Sequence, residues 1–437
     1  MHIGMVTAIY KPVVNGVTRM VELYREHLEA AGYEVTIFTL GASDPSDDDH
    51  IIRSPGFQVS DRGYYLTPGF SRAAQKLMRQ VDILHSHHLI MGVEMAHRYG
   101  RCPVIYTNHT RYDLYGNAIL NLPQPAADAI LRQLWPDFCD YADLVIAPSE
   151  SVRQIMLDFG VRTPTMTIEN GVELQPFQQP SNPRHKADFG LPDTAVLLMY
   201  VGRLAAEKNL DCLIDQFAIA ADVAPDLQLL VVGDGPNREM LAAQVNQLGL
   251  RNRIHFTGPV PVHEVPNYMA AADIFATASV SEVHPLTVIE AMAAGLPVVA
   301  VASPGISDSV ESGHTGLLTN RPDGGLAAAM VGLALNPMQR AQMSVAARAA
   351  SERYDIRHTV ALTQEVYERL NAERPDLKRK QPHGRRYLYR QRVQSTFNRI
   401  FKPEEGEHPL PNWFAPEYWL RDLRDHQDSH DHWKKTS

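Results

Sequence analysis

Two glutamates with seven residues between them, Glu282 and Glu290, are the side chains in this 437-residue chain best placed to grip a polar ligand. They stand in Ser281-Glu282-Val283-His284-Pro285-Leu286-Thr287-Val288-Ile289-Glu290-Ala291-Met292-Ala293-Ala294-Gly295-Leu296-Pro297-Val298, which reads as a loop, a short helix and a strand. A helix starting near Pro285 would leave the amides of Leu286, Thr287 and Val288 without intrahelical acceptors and turn its positive dipole end toward an anion such as a diphosphate. Glu290 then lies about one turn inside the helix. Glu282 stays in the loop ahead, so the two carboxylates are free to accept hydroxyls from different parts of one ligand. The plainer alternative is an amphipathic helix with two solvated glutamates.

A second basic element is Tyr200-Val201-Gly202-Arg203-Leu204-Ala205-Ala206-Glu207-Lys208-Asn209, directly after an expected strand. Arg203 and Lys208 would sit at the carboxyl end of a sheet, where two cations neutralise a diphosphate as it departs. His109 follows an expected strand over Val104 to Thr107 and is placed in a cleft, with a ring that merely satisfies backbone groups as the alternative. His85, His87 and His88 also end a strand. Alternation aims the first two one way and the third the other, so they are expected to line the cleft rather than hold zinc. Asp47-Asp48-Asp49 lies among Ser43, Pro45 and Ser46 and is expected to be a solvated turn, and no metal site or cofactor is assigned. Gly233-Asp234-Gly235 has Arg238 where a dinucleotide fingerprint carries its third glycine, which counts against a nicotinamide enzyme.

The elements that must position these residues alternate strand and helix. Ile3 to Thr7 reads as a strand, Asn15-Gly16 as a helix start, and Val17, Met20, Val21, Tyr24, Leu28 and Ala31 keep helical spacing up to Gly32. Strands are expected at Val35 to Thr39, Val81 to Ser86, Val104 to Thr107 and Leu144 to Ala147, with helices near Gly92 to Tyr99 and Ala126 to Tyr141. Pro176, Pro180 and Pro183 mark a connection. A second block follows, with strands at Ala195 to Val201, Leu227 to Val232, Ile254 to Thr257, Ile274 to Ala276 and Val298 to Val301. The fold class is therefore α/β, two doubly wound Rossmann-like halves facing across a cleft, since ligands of such sheets bind beyond the carboxyl ends of the strands. The expected division is 1–175, a linker over 176–190, a second half over 191–353, a crossover helix over 354–373 and a tail over 374–437.

Composition sets bounds on function. Apolar residues make up 44% and charged residues 21%, as in globular chains, and the net charge of −9 argues against a protein whose whole surface coats nucleic acid. Three cysteines, Cys102, Cys139 and Cys212, lack zinc spacing and fit a reducing compartment. The start has no basic n-region and meets Lys11-Pro12 early, so no signal peptide is read, and no apolar run is long enough to span a bilayer. A cytoplasmic location, peripheral at the inner face of the membrane, is the expectation. Nine Lys or Arg and no acidic residue fall within 378–402, interleaved with Tyr387, Tyr389, Phe397 and Phe401. That stretch suits an anionic membrane surface or the acidic body of the protein itself, whereas nucleic acid is not expected as a partner. His426, His430 and His432 belong to the same tail and are expected at its surface.

These motifs together resemble the retaining GT-B glycosyltransferases of family 4, over roughly Met1 to Leu370. The most specific match is the Glu282 and Glu290 pair ending in Glu-Ala-Met-Ala-Ala-Gly-Leu-Pro-Val-Val-Ala. Asn15-Gly16-Val17, Asn108-His109-Thr110, Ala147-Pro148-Ser149, Asn170-Gly171-Val172, Gly202-Arg203 with Glu207-Lys208, Gly233-Asp234-Gly235-Pro236 and Gly313 to Gly316 support it. The resemblance implies that Arg203 and Lys208 hold a donor diphosphate, that Glu290 takes the ribose and Glu282 the transferred hexose, that Gly16 lets backbone approach the phosphates, and that His109 lies beside the reacting sugar. It implies a nucleotide-sugar donor, a lipid or sugar acceptor, and catalysis without a metal. Tyr10 to Val17 and His109 to Tyr115 look like the branch that glucosylates diacylglycerol, which makes UDP-glucose the expected donor. A soluble metabolite or polysaccharide acceptor is the competing enzyme reading, and a non-catalytic two-lobed sugar-binding protein the competing class. Three departures stand out. His284-Pro285 replaces the frequent Phe-Gly, and Pro285 has no amide to offer a hexose; Glu173 replaces a common Asp; and Pro304-Gly305 replaces Gly-Gly.

Overall fold

The computed structural model describes residues 1–58, 64–114, 123–320 and 324–373. The basic stretch 378–402 and the tail histidines lie outside these residues. Two parallel sheets form the body. The first is built from β1 (His2–Val6), β2 (Glu34–Leu40), β3 (Ile51–Ser54), a short antiparallel pair β4 (Phe57–Gln58) and β5 (Tyr65–Leu66) set apart from it, then β6 (Ile83–Ser86), β7 (Val104–Thr107), β8 (Leu144–Ala147) and β9 (Thr165–Thr167). Its order is β3-β2-β1-β6-β7-β8-β9. The second sheet uses β10 (Val196–Val201), β11 (Leu227–Val232), β12 (Ile254–Gly258), β13 (Ile274–Thr277), β14 (Val298–Val301) and β15 (Gly316–Thr319), in the order β12-β11-β10-β13-β14-β15.

Both orders reverse direction beside the first strand of the half, which opens a crevice at the carboxyl edge where successive loops part to opposite sides. The central strands read as apolar on both faces because both faces are covered. In β10, Val196, Leu198 and Tyr200 enter one core layer, and Leu197 and Met199 the other. Strands β3, β9 and β15 escape the sequence reading. Each is an edge strand with one neighbour, and Thr165–Thr167 is half-buried throughout, so neither the apolar run nor the alternation is strong.

The helix Gly16–Ala30 begins as its sequence requires. The Asn15 side chain accepts from the Thr18 amide at 2.9 Å, and the Thr18 hydroxyl accepts from the Asn15 amide at 2.9 Å. Its buried face, with Met20, Val21, Tyr24 and Leu28, packs on Ile3, Met5 and Ile37 of the first sheet. The last described helix, Ile356–Glu373, follows the second sheet yet returns to this same core through Ile356, Val360, Val366, Tyr367 and Leu370. At the crossing the Val172 amide donates to the Tyr354 carbonyl at 2.9 Å and the Ile356 amide to the Val172 carbonyl at 3.0 Å. Gly171 lies so close that a Cβ there would stand 2.5 Å from the Ile356 Cα. The proline-rich stretch carries two short helices, Gln175–Gln178 and Lys186–Phe189, and its Phe177 is buried in the core of the second sheet.

The carboxyl edges of the two sheets meet through named contacts. The Ser149 hydroxyl donates to the Val283 carbonyl at 3.0 Å, and the Asn170 amide group to the His284 carbonyl at 3.1 Å. Leu286 packs against the cores of both sheets. Among the described residues no helix is long and apolar enough to cross a membrane.

Candidate active site

The loops after β10 and β13 bring three of the expected residues, Arg203, Lys208 and Glu282, into one charged cluster with Glu207. Arg203 leaves the sheet two residues past β10, and Lys208 closes a 3₁₀ turn over Ala206–Lys208. The Lys208 ammonium lies 2.6 Å from Oε1 of Glu282, which also accepts from the Ser279 hydroxyl at 2.7 Å. Arg203 Nη2 lies 3.4 Å from Glu207 Oε1, and the Ser281 hydroxyl donates to the Glu207 carbonyl at 3.1 Å. Burial works to raise the Glu282 carboxyl, but the Lys208 charge and the hydrogen bonds from Lys208 and Ser279 prevail and hold it below the ordinary range. Arg203 keeps 40% of its side chain exposed, against 28% for Lys208, so the guanidinium is the more accessible cation.

The motif Gly233-Asp234-Gly235, weak as a dinucleotide fingerprint, has a mechanical role here. A Cβ on Gly233 would fall 2.0 Å from the Gly202 carbonyl oxygen, and one on Gly235 would fall 2.4 Å from that of Leu204. The Gly202 amide donates to the Val232 carbonyl at 3.0 Å and the Leu204 amide to the Asp234 carbonyl at 2.9 Å. The end of β11 therefore clamps the backbone on either side of Arg203.

The helix after the glutamate loop spans Leu286–Ala293, with Pro285 at its N-cap. Of the three amides expected to be available, the one on Val288 already donates to the Pro285 carbonyl at 3.2 Å, and the Val288 side chain is buried in the core. The cause is local: the first turn is tight, and the Ile289 amide also reaches the Pro285 carbonyl at 3.3 Å. Leu286 and Thr287 hold the amides that lie ahead of the intrahelical ladder. Glu290 is half-buried in the second turn, and burial pushes its carboxyl up to about 7 while the Arg19 charge pulls the other way. Arg19 belongs to the Gly16–Ala30 helix, so this electrostatic influence passes from one half of the molecule to the other.

Gly16 opens that helix with no atom within 4 Å of where a Cβ would point. His109 stands on the first sheet, half-buried, with its Nε2 3.0 Å from Nδ1 of His87. Burial carries His109 down to about 3, so the ring is neutral at any physiological pH. His85, His87 and His88 are not cleft lining as expected; all three are buried. His88 turns away to the Thr7 hydroxyl at 3.1 Å, whereas His85 and His87 share a face, as alternation requires. Among the described residues no three His, Cys, Asp or Glu side chains form a group able to hold a metal ion. Asp47 is not solvated as expected, because its carboxylate takes Nε and Nη2 of Arg53 at 2.6 and 2.7 Å; Asp48 pairs with Arg25 at 2.6 Å.

His284, at the position where a Phe is frequent, behaves as an apolar ring. It packs edge-on against Tyr354 with centroids 5.2 Å apart, and both ring nitrogens are buried without a hydrogen-bond partner. Burial lowers its basicity to about 3. His284→Phe should therefore leave the fold intact and raise stability by about 1–2 kcal/mol, because an unsatisfied buried donor and acceptor disappear. Chemical unfolding checks this, and a lower midpoint in the variant would count against it.

Family models match nearly the whole described body: "Glycosyltransferase Family 4" over residues 14–176 and "Glycosyl transferases group 1" over 181–350. The alpha-monoglucosyldiacylglycerol synthase of Streptococcus pneumoniae is 32% identical over 335 residues, covering 73% of this chain and 75% of that protein. D-inositol 3-phosphate glycosyltransferase 2 of Catenulispora acidiphila is 31% identical over 387 residues, covering 80% and 88%. Among solved structures, HepE of Anabaena in complex with UDP and glucose superposes with a TM-score of 0.68 at 22% identity, over 85% of this chain and 100% of that one. With two parallel sheets joined at their carboxyl edges and family models matching each half, the chain belongs to the group 1, family 4 glycosyltransferases and has their GT-B fold.

Proposed function

We propose that this glycosyltransferase moves glucose from UDP-glucose to a hydroxyl of diacylglycerol, with retention at the anomeric carbon. The observation that carries the donor side is the Lys208–Glu282 pair beside Arg203. The Lys208 ammonium and the Glu282 carboxylate neutralise each other. A diphosphate arriving between Arg203 and Lys208 would take over the cations and release Glu282 to accept hexose hydroxyls. The amides of Leu286 and Thr287 would meet the same phosphates from the helix end, and Gly16 would admit them from the opposite half. As the diphosphate leaves, these donors neutralise its growing charge, and a leaving phosphate oxygen on the same face takes the proton of the attacking hydroxyl, which gives retention with no covalent nucleophile. His109 would sit beside the transferred sugar, and no metal is required.

The acceptor reading draws on the synthase relative and on exposed apolar side chains. Val14, Phe57, Tyr64, Ile90 and Leu114 are exposed, and all stand in segments that follow strands of the first sheet at its carboxyl edge. That rim suits acyl chains better than a small polyol. The second reading, a soluble acceptor such as an inositol phosphate, is favoured by the D-inositol 3-phosphate glycosyltransferase relative. A panel of nucleotide sugars crossed with diacylglycerol and soluble sugar acceptors, read by mass spectrometry, decides between them. Transfer to soluble acceptors alone would remove the lipid reading.

Two further outcomes are expected. Ionised Glu290 can accept from both ribose hydroxyls, so KM for the donor should fall as pH rises from about 6 to about 8, through the Glu290 value of about 7. In Glu290→Gln that dependence should vanish; a KM independent of pH in the unaltered enzyme would refute the ribose role. The basic stretch 378–402 would hold the enzyme at an anionic leaflet at about 1 kcal/mol per basic residue near the surface. Sedimentation with anionic liposomes should therefore retain the full chain and lose a chain ending near Ala372, and equal binding by both would assign membrane contact elsewhere.

A further inference from the structure

His87 is a buried titratable group that the reaction outlined above leaves unused, and among the described residues it is the one in contact with His109 through a ring nitrogen. The pairing of β6 with β7 sets Ser86 opposite Tyr106 and His85 opposite Ile105, so His85 and His87 rise from the same face as Thr107 and His109. The His87 and His109 ring planes differ by 18°, with centroids 5.3 Å apart and a nitrogen–nitrogen distance of 3.0 Å. That distance is too short for a face-to-face stack and fits two rings edge to edge sharing an in-plane N–H···N bond. Burial keeps both rings neutral, so the pair shares one proton across this contact.

The direction of that bond follows from what lies on the far side of His87. Its Nε2 is buried and has no partner. A buried N–H without an acceptor costs more than a buried lone pair without a donor. The His87 proton therefore belongs on Nδ1, and His109 Nε2 is the acceptor. The His87 ring cannot turn to escape this role. His85 covers it at a centroid distance of 4.3 Å and Tyr24 at 5.9 Å, while His85 is itself held by the Tyr367 hydroxyl and the Thr107 hydroxyl, each at 2.6 Å. Tyr367 comes from the helix that returns from the second sheet, so the brace on His87 includes an element from the far end of the body.

We propose that His87 is a positioning residue: by donating from Nδ1 to Nε2 of His109 it fixes the plane of that ring and confines the His109 proton to Nδ1. The chemical consequence is that His109 presents a hydrogen-bond donor, not an acceptor, on its remaining nitrogen, the polarity suited to a sugar oxygen. This deepens the reading of His109 beside the transferred sugar and, for its kinetic effect, rests on it.

The test uses the full chain labelled with ¹⁵N at histidine, with the His109 signal identified by its loss in His109→Gln. His109 is expected as the Nδ1–H form, and an Nε2–H form would overturn the proposal. In His87→Leu the signal should move to the Nε2–H form that water favours, and kcat for UDP release from UDP-glucose should fall about tenfold or more with KM little changed. His87→Asn keeps an amide donor near the Nδ1 position and should restore both readouts, whereas His87→Gln, which reaches toward the Nε2 position, should not. Equal behaviour of the Asn and Gln variants would overturn the proposal even if the Leu variant fails to fold. Full activity in His109→Ala would instead strike the reading of His109 beside the sugar, and the tautomer measurement would still decide the role of His87.

Discussion

Arg203→Ala and Lys208→Ala are each expected to lower kcat at saturating donor by about 10²–10³-fold, with a smaller change in KM. The departing diphosphate gains charge in the transition state, so a cation beside it contributes more there than in the ground state. The two variants should differ in a telling way. Arg203 is the more exposed and pairs with Glu207 at 3.4 Å, so its loss should leave the apo fold nearly unchanged. Removing Lys208 takes away the cation that balances the mostly buried Glu282 carboxylate and leaves the Ser279 hydroxyl donating to it, so that variant should also lose stability. Arg203→Lys keeps the charge but loses the planar fork and should fall between. Steady-state kinetics beside thermal unfolding separates these effects, and unchanged turnover in both alanine variants would end the leaving-group role.

The largest structural effect is expected from Gly233→Ala, a single added methyl group. Gly233 has φ +134°, a backbone conformation that L side chains rarely adopt, and the new Cβ would fall 2.0 Å from the Gly202 carbonyl oxygen. Backbone cannot yield as a side-chain tip can, so β11 and the Arg203 loop must separate. The expected loss is about 3 kcal/mol or more, from the unfavourable dihedral together with the overlap. Because the displaced backbone carries Arg203, kcat should fall as well, in a protein that still folds at low temperature. Denaturant unfolding with parallel kinetics checks this; a wild-type midpoint would show that the close approach of the two loops does not matter.

Much of the body was legible in the chain because the signals are local. Val104–Thr107, Leu144–Ala147, Leu227–Val232 and Val298–Val301 are apolar runs bounded by polar or turn residues, and the strands begin and end with them. The Asn15 cap and the Pro285 boundary are equally local, since a side-chain acceptor and a missing amide act within one turn. Alternation put His85 and His87 on one face. What it could not supply was the register with β7, and that register turned expected cleft lining into a buried brace behind His109. The Val288 amide departs from the sequence expectation for a finer reason: the hydrogen bond that occupies it depends on how tightly the first turn winds.

By itself, then, the sequence determined the two alternating α/β halves, the charged residues that terminate their strands, and the helix start beside Glu290, because periodicity, caps and strand ends are written over a few neighbouring residues. The tertiary structure decided the partnerships: Lys208 with Glu282 across 74 positions, Gly233 against Gly202, the charge of Arg19 acting on Glu290, and the last described helix returning to the first sheet to hold His85 through Tyr367. Such pairings depend on strand order, register and the crossing at Gly171, which arise only when distant segments bury their apolar faces together.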